Sequence, residues 1–251
     1  MASVQVRQEN WIFDGQPYPY LDACKPRTVY YWTAARFEPL ARFSLSLTKL
    51  IPTEWGAPTF EIDGIKMLTT QRISPWADAE RKVALIRPRG KVILDTCGGL
   101  GYFAAFCLAG RSAHVHSYEK NADVIWLRSL NPWSPNILEH GTAGAMTLTN
   151  GDVTEHICAH AAGSSDAILH DPPRFGIAGE LYSQTFYEQL ARVLKRGGSM
   201  FHYTGAPNKH SSGRELAHEV ATRLRRAGFA VEPCIDGVFA VKRGFPQPFE
   251  G

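Results

Sequence analysis

Three segments of this 251-residue chain carry residues suited to holding a charged nucleoside ligand, and each closes an apolar run. The first, Asp95-Thr96-Cys97-Gly98-Gly99-Leu100-Gly101, follows Val92-Ile93-Leu94. Glycines at a strand-to-helix turn let the backbone approach a ligand, and the first N–H groups of the next helix lack partners within it. The second is Glu119, followed by Lys120, at the end of Val115-His116-Ser117-Tyr118. A carboxylate there is placed to accept both hydroxyls of a ribose. In the third, Ile168-Leu169-His170-Asp171-Pro172-Pro173-Arg174-Phe175, two prolines hold the chain extended and remove two donors. Carbonyls and a carboxylate are left to face a crevice. Asp152-Val153 adds a fourth position, where an adenine amino group would be met. The bland alternatives are a ligand-free glycine turn, a turn aspartate at Asp152 and a structural Pro-Pro turn.

These segments must be positioned by elements, and the texture from Lys91 onward supplies them. Strand-like runs at Val92-Ile93-Leu94, Val115 to Tyr118, Met146 to Leu148, Ala167 to Leu169 and Met200 to Tyr203 alternate with helical spacing. The helices are expected over 101–108, 121–130, 182–195 (stopped by Arg196-Gly197-Gly198) and 215–227. Two last strands, Phe229 to Val231 and Val238 to Val241, flank Asp236-Gly237. The pattern predicts an α/β fold, a Rossmann-like doubly wound seven-stranded sheet with an antiparallel terminal pair. Ser74-Pro75 reads as the N-cap and first residue of a helix reaching about Ile86. Asp63-Gly64 between apolar runs predicts a hairpin. Arg36 to Leu50 has a partly helical apolar spacing, so one helix is expected there. The expected division is an aromatic-rich N-terminal cap with a hairpin over 1–74 and a catalytic Rossmann-like domain over 75–251.

Gly99-Leu100-Gly101-Tyr102-Phe103-Ala104 also satisfies the dinucleotide pattern G-x-G-x-x-A, and a ribose-binding acid serves nicotinamide and S-adenosylmethionine (SAM) sites alike. Asp171-Pro172-Pro173 has no use in a dehydrogenase. With those residues, the chain resembles the class I SAM-dependent methyltransferases over roughly 90–243, with Cys97 where their motif usually has a glycine. It is most similar to the predicted methyltransferases common in archaea that are related to spermidine synthases. The likeness extends to about residue 59 through Glu61-Ile62-Asp63-Gly64-Ile65, Ile73-Ser74-Pro75-Trp76, Asn131-Pro132-Trp133-Ser134 and His170 to Phe175. The resemblance implies SAM as cofactor, bound by Asp95, Cys97, Gly99, Gly101, Glu119, Lys120, Asp152, Val153 and Asp171. It implies nucleophilic displacement at the sulfonium, first as methyl transfer to the nitrogen of a small molecule. Two alternatives are intramolecular cyclisation of SAM to azetidine-2-carboxylate with release of methylthioadenosine, and aminopropyl or aminocarboxypropyl transfer. A catalytically silent SAM-binding module is a further rival, opposed by the intact Asp171-Pro172-Pro173.

Asp171, Pro172, Tyr182 and His202 are the catalytic candidates, and Tyr30, Asn131, Arg174, Phe175 and Tyr203 the candidates for touching substrate. Arg174 stands where base- and glutamine-modifying relatives carry an aromatic ring, and no second acid lies beside Asp171 for a polyamine. Tyr18, Tyr20, Tyr30, Tyr31 and Trp32 are candidates for an aromatic wall facing the sulfonium. The charge, 27 basic against 24 acidic residues, leaves +3 without a basic stripe, so nucleic acid is not the expected partner. Arg223, Arg225 and Arg226 read as a solvated helix face. Five cysteines without a CxxC pair read as small buried thiols of a reducing compartment, and no metal site is expected. Met1 to Asn10 lacks the apolar core of a secretory signal, and no run suits a membrane helix, so a cytoplasmic protein is expected.

Overall fold

The computed structural model describes residues 3–205 and 213–244. From Val92 onward strands and helices alternate. The strands are β10 (Val92–Asp95), β11 (His114–Glu119), β12 (Met146–Asn150), β13 (Ser165–His170), β14 (Leu194–Tyr203), β15 (Phe229–Cys234) and β16 (Gly237–Lys242). The helices are α1 (Pro75–Ile86), α2 (Tyr102–Ala109), α3 (Ala122–Leu130), α4 (Ile137–Thr142), α5 (Val153–His156), α6 (Gln184–Val193) and α7 (Gly213–Arg226). The seven strands form one sheet in the order β12-β11-β10-β13-β14-β16-β15. β10 to β14 run parallel, while β16 is antiparallel to both of its neighbours. Chain order reverses between β10 and β13, which is where a crevice opens at the carboxyl ends of such strands.

Successive strand residues point to opposite faces. Ile93, Val115, Leu169 and Phe201 bury one face under Val83, Ile86, Phe103, Cys107 and Leu127 of α1 to α3. Leu94, Ile168 and Met200 bury the other under Val153 of α5, Tyr187 and Leu190 of α6, and Val220 and Leu224 of α7. Being covered on both sides, β10 and β13 carry short continuous apolar runs, Val92 to Leu94 and Ala167 to Leu169.

The segment before α1 is a cap built of strands: β1 (Gln5–Val6), β2 (Asn10–Phe13), β3 (Gln16–Pro19), β4 (Tyr30–Trp32), β5 (Phe37–Pro39), β6 (Ala41–Phe43), β7 (Leu47–Ile51), β8 (Thr59–Ile62) and β9 (Ile65–Lys66). β6 to β9 form an antiparallel sheet of four. The helix expected over Arg36 to Leu50 is therefore corrected to β5, β6 and β7. Pro39 has no N–H for a helix interior, and the apolar spacing follows strand alternation, with Leu40 and Leu50 buried and Leu45 99% exposed at a hairpin tip. The hairpin at Asp63-Gly64 forms, with both residues at positive φ (48° and 80°) as a type I′ turn requires.

Several boundaries shift, most at the junction of α6 and β14. α6 ends at Val193, and β14 begins at Leu194 rather than Met200. Leu194 faces Ser165 and Ser199 faces Ala167, so Lys195 to Gly198 bulge out of the strand instead of stopping the helix. α1 starts as expected, with the Ser74 side chain accepting the Ala77 N–H. Cys107 is a buried thiol, but Cys24 and Cys158 are exposed. No helix among the described residues is long and apolar enough to cross a membrane.

Candidate functional site

Three acids lie at the carboxyl ends of the central strands: Asp95 ending β10, Glu119 ending β11, and Asp171 just past β13. Thr96 donates its N–H to the Leu169 carbonyl at 3.1 Å, which ties the two sides of the switch point together. Glu119 is held rigidly: Oε2 accepts the Gly99 N–H at 2.9 Å and Oε1 the Asn121 N–H at 2.8 Å. Burial raises its pKa, opposed by these amide bonds and by Arg128. Beside it, Asp152 caps α5 by accepting the Thr154 N–H (2.9 Å) and pairs with exposed Lys120 at 2.7 Å. Burial works against ionisation of Asp152, but Lys120 and Thr154 bring its pKa below the usual value.

The glycine turn owes much of its composition to Arg128 on α3. This side chain is 2% exposed and lies under the turn, with Nη1 donating to Ser117 Oγ at 3.3 Å. A Cβ on Gly101 would overlap the Arg128 guanidinium, and one on Gly98 would overlap Ser117 Oγ and Arg128. Asp95 accepts from Ser117 Oγ at 2.8 Å, while its Oδ1 is buried without a hydrogen-bond partner among the described residues. Burial lifts its pKa to about 6 despite Ser117 and Arg128. Cys97 follows in the turn, and burial keeps it a thiol by pushing its pKa well above the ordinary value. Sequence reasoning did not single out Arg128; an arginine on the face of α3 that carries Val124 and Leu127 is the signal that would have found it.

At the other side of the crevice, α1 contributes Lys82, also missed. Its Nζ lies 2.8 Å from Asp78 Oδ2, 3.4 Å from Asp171 Oδ2 and 4.4 Å from the centre of the Tyr203 ring. Arg81 bridges Asp78 to Asp236 in the turn between β15 and β16. Burial alone would lower the Lys82 pKa, but Asp171 and Asp78 raise it overall. Burial raises that of Asp171 against the pull of Lys82. The expectation that no second acid lies near Asp171 is thus corrected: Asp78 shares Lys82 with it. Asp78 and Lys82 sit one helical turn apart, which sequence spacing shows, but nothing in the sequence alone ties them to Asp171.

The other candidates distribute unevenly. Tyr182 is buried and donates its hydroxyl to the Pro173 carbonyl at 2.9 Å, with the Phe175 ring edge-on at 5.5 Å. Burial raises its pKa. Pro172 is buried, while Arg174 and Phe175 are exposed on the loop. Tyr203 reaches the site as a ring over Lys82. His202 is wholly buried, between the Tyr187 hydroxyl (2.8 Å) and the Tyr203 carbonyl (2.8 Å), and burial next to His170 sends its pKa well below the usual value. It is a neutral core histidine here, not a base open to the crevice. His170 is similar, held by Thr96 and the Leu181 carbonyl, with burial lowering its pKa to about 4. Asn131 is also structural: its amide ties the end of α3 to the Tyr102 hydroxyl (3.2 Å) and to Ser134 (2.9 Å).

The aromatic wall expected from the N-terminal segment is placed elsewhere. Inside the cap Tyr18 stacks on Trp11 and Trp32 meets Tyr18 and Phe37 edge-on, Tyr20 donates to the Arg7 carbonyl, and Tyr31 packs edge-on to Trp126 at 5.7 Å. Tyr30 accepts the Lys25 N–H and lines a cap cavity of about 300 Å³ with Trp11, Tyr20 and Phe37. Phe60 of β8 is a cap ring that faces the glycine turn, where a Cβ added to Gly99 would lie 3.5 Å from it. Tyr102 fixes that approach by donating to the Pro58 carbonyl at 2.8 Å.

No family model matches the chain. It is 41% identical over 199 residues to an uncharacterized protein of Methanocaldococcus jannaschii, a match covering 77% of this chain. The chain spans 66% of that relative's length. Among solved structures it is similar to spermidine synthase in complex with the transition-state analogue AdoDATO (TM-score 0.57, 17% identity, 86% of this chain and 78% of the other). Spermidine synthase from Thermotoga maritima aligns comparably (TM-score 0.58, 16% identity, 86% and 79%). At such identity the likeness is one of fold: a seven-stranded, mostly parallel sheet.

Proposed function

We propose that this chain is a SAM-dependent enzyme in which a nitrogen nucleophile displaces the sulfonium, transferring the methyl group to a small molecule. One observation carries the reading: Glu119, fixed by two backbone amides beside the glycine turn at the switch point, presents acceptor lone pairs that suit a ribose diol. The surrounding residues fit the rest of such a ligand. Asp152 and Val153 open α5 where the adenine would lie, Phe60 walls the turn, and Asp171 supplies negative charge for the sulfonium end. Bound SAM would supply an already activated carbon, because a neutral thioether leaves from a sulfonium. The tasks left to the protein are orientation of the amine and exclusion of water. Asp171 and the Pro172 carbonyl orient an N–H so that the nitrogen lone pair faces the carbon. The N–C bond forms as the S–C bond breaks, the electron pair stays on sulfur, and the amine proton passes to water.

A second reading is favoured by Lys82. Its ammonium already occupies the cation position between Asp171 and Asp78, where a diffusible polyamine would otherwise be held. That argues against aminopropyl transfer to a polyamine. Cyclisation of the ligand's own amine to azetidine-2-carboxylate, with release of methylthioadenosine, needs no diffusible amine and is the reading this leaves. One incubation separates the readings: purified protein with SAM and no acceptor, followed by mass identification of the nucleoside. Methyl transfer predicts unchanged SAM until an amine is supplied and S-adenosylhomocysteine afterwards. Methylthioadenosine without an acceptor replaces methyl transfer by cyclisation, and failure of SAM to bind at all removes both.

A further inference from the structure

Five charged groups alternate in sign across the crevice floor. They run from Asp171 after β13, through Lys82, Asp78 and Arg81 on α1, to Asp236 in the turn between β15 and β16. Only 5% of the Lys82 side chain is exposed, against 20% for Asp171. A ligand therefore meets Asp171, not Lys82. The Oδ2 atom of Asp171 is taken by Lys82, whereas Oδ1 accepts no hydrogen bond from a described residue. Asp78, Asp236, Asp95, Cys97, Tyr182 and Tyr203 also act on or with Asp171 and none of these is cationic, while the guanidinium of Arg81 is engaged by Asp78 and Asp236.

We infer that Lys82 is a positioning residue that acts through Asp171: it fixes one carboxylate oxygen and keeps the group ionised, so that Asp171 holds the reacting amine as an acceptor instead of taking its proton. This rests on the SAM reading above. A carboxylate among other acids and phenols in a dry crevice becomes a neutral acid unless a cation stands beside it. As a neutral acid it would offer an O–H to the amine and no charge to the sulfonium. With Lys82 in contact, its charge offsets part of the rise that burial gives the Asp171 pKa, and the ionised carboxylate accepts from the amine while the amine proton leaves to water.

The test uses the full chain and SAM itself. SAM affinity is measured by calorimetry from about pH 6 to about pH 9 for wild type, Lys82→Met and Lys82→Arg, and the Asp171 carboxyl carbon is titrated by NMR without ligand. Wild-type affinity should be nearly flat. Lys82→Met should bind roughly tenfold or more weakly at the acid end and recover as pH rises, with the carboxyl midpoint moved up by about one unit or more. Lys82→Arg should restore the flat profile. In an Asp171→Asn background, Lys82→Met should add no pH dependence. A wild-type profile in Lys82→Met, or the same pH-dependent loss in the Asn background, overturns the inference. Should Lys82→Met fail to fold, a wild-type Asp171 midpoint at or above neutrality overturns it and one below neutrality supports it. If wild type binds no SAM, the functional reading fails, while the ligand-free carboxyl midpoints still decide whether Lys82 holds Asp171 ionised.

Discussion

Replacing Gly101 by alanine tests whether the glycine turn is shaped by a ligand or by the arginine beneath it. Gly101 has φ 81°, and a left-handed backbone costs an L-residue roughly 1–2 kcal/mol. The added methyl would also overlap the Arg128 guanidinium. Arg128 is 2% exposed and hemmed in by Ser117 and Met146, so it has no open space to swing into. Overpacking of this kind costs about 1–3 kcal/mol, giving a total near 2–5 kcal/mol. Urea denaturation measures it directly, and a cycle with Arg128→Ala separates the two contributions. In the Arg128→Ala background, Gly101→Ala should cost only the backbone part, a coupling of about 1–3 kcal/mol. Equal costs in both backgrounds would refute the steric account. A Gly101→Ala protein of wild-type stability that has lost SAM affinity would show that the glycine serves the ligand alone.

Three further outcomes are expected. Glu119→Ala should weaken SAM binding by roughly 1.5–3 kcal/mol through the lost charged hydrogen bonds, and unaltered affinity by calorimetry would remove the ribose assignment. Asp95 has a folded pKa of about 6, above its unfolded value, so its contribution is fully present below the unfolded pKa and is lost as pH rises to and beyond 6. The stability of Asp95→Asn relative to wild type should therefore rise by roughly 2–3 kcal/mol between about pH 4 and about pH 8, and a pH-independent difference in denaturation would exclude the shift. His202→Gln should lower stability by about 1–3 kcal/mol, through the altered partners of Tyr187 and Tyr203, and leave the pH profile of turnover unchanged. Loss of a limb near neutrality would restore His202 as a base.

How far the sequence could be read depended on whether the signal was local. Ser74-Pro75 and Asp63-Gly64 act through their own backbone and neighbours, so the start of α1 and the hairpin appear where spacing placed them. Among the parallel strands, β10 and β13 were legible because they are apolar on both faces. Arg36 to Leu50 misled because a mixture of alternating and helical spacings over short strands carries two periods at once, and Pro39 was the feature that excluded the helix interior. Glu119 and Asp171 could be found because the end of a central strand is a position that sequence fixes. Lys82, Asp78 and Arg128 could not, because their meaning comes from helix faces meeting strand ends. Lys82 lies far along the chain from the Asp171 it touches, and Arg128 is the reason two glycines of the turn admit no side chain. His202 and Asn131 failed the other way. They have the side chains of catalysis and stand near strand or helix ends, but their polar atoms are spent on Tyr187, Tyr203, Tyr102 and Ser134. In this fold the side chain alone does not mark a catalytic group: His202 and Asn131 are held by core partners, whereas Asp171 Oδ1 accepts no hydrogen bond from a described residue.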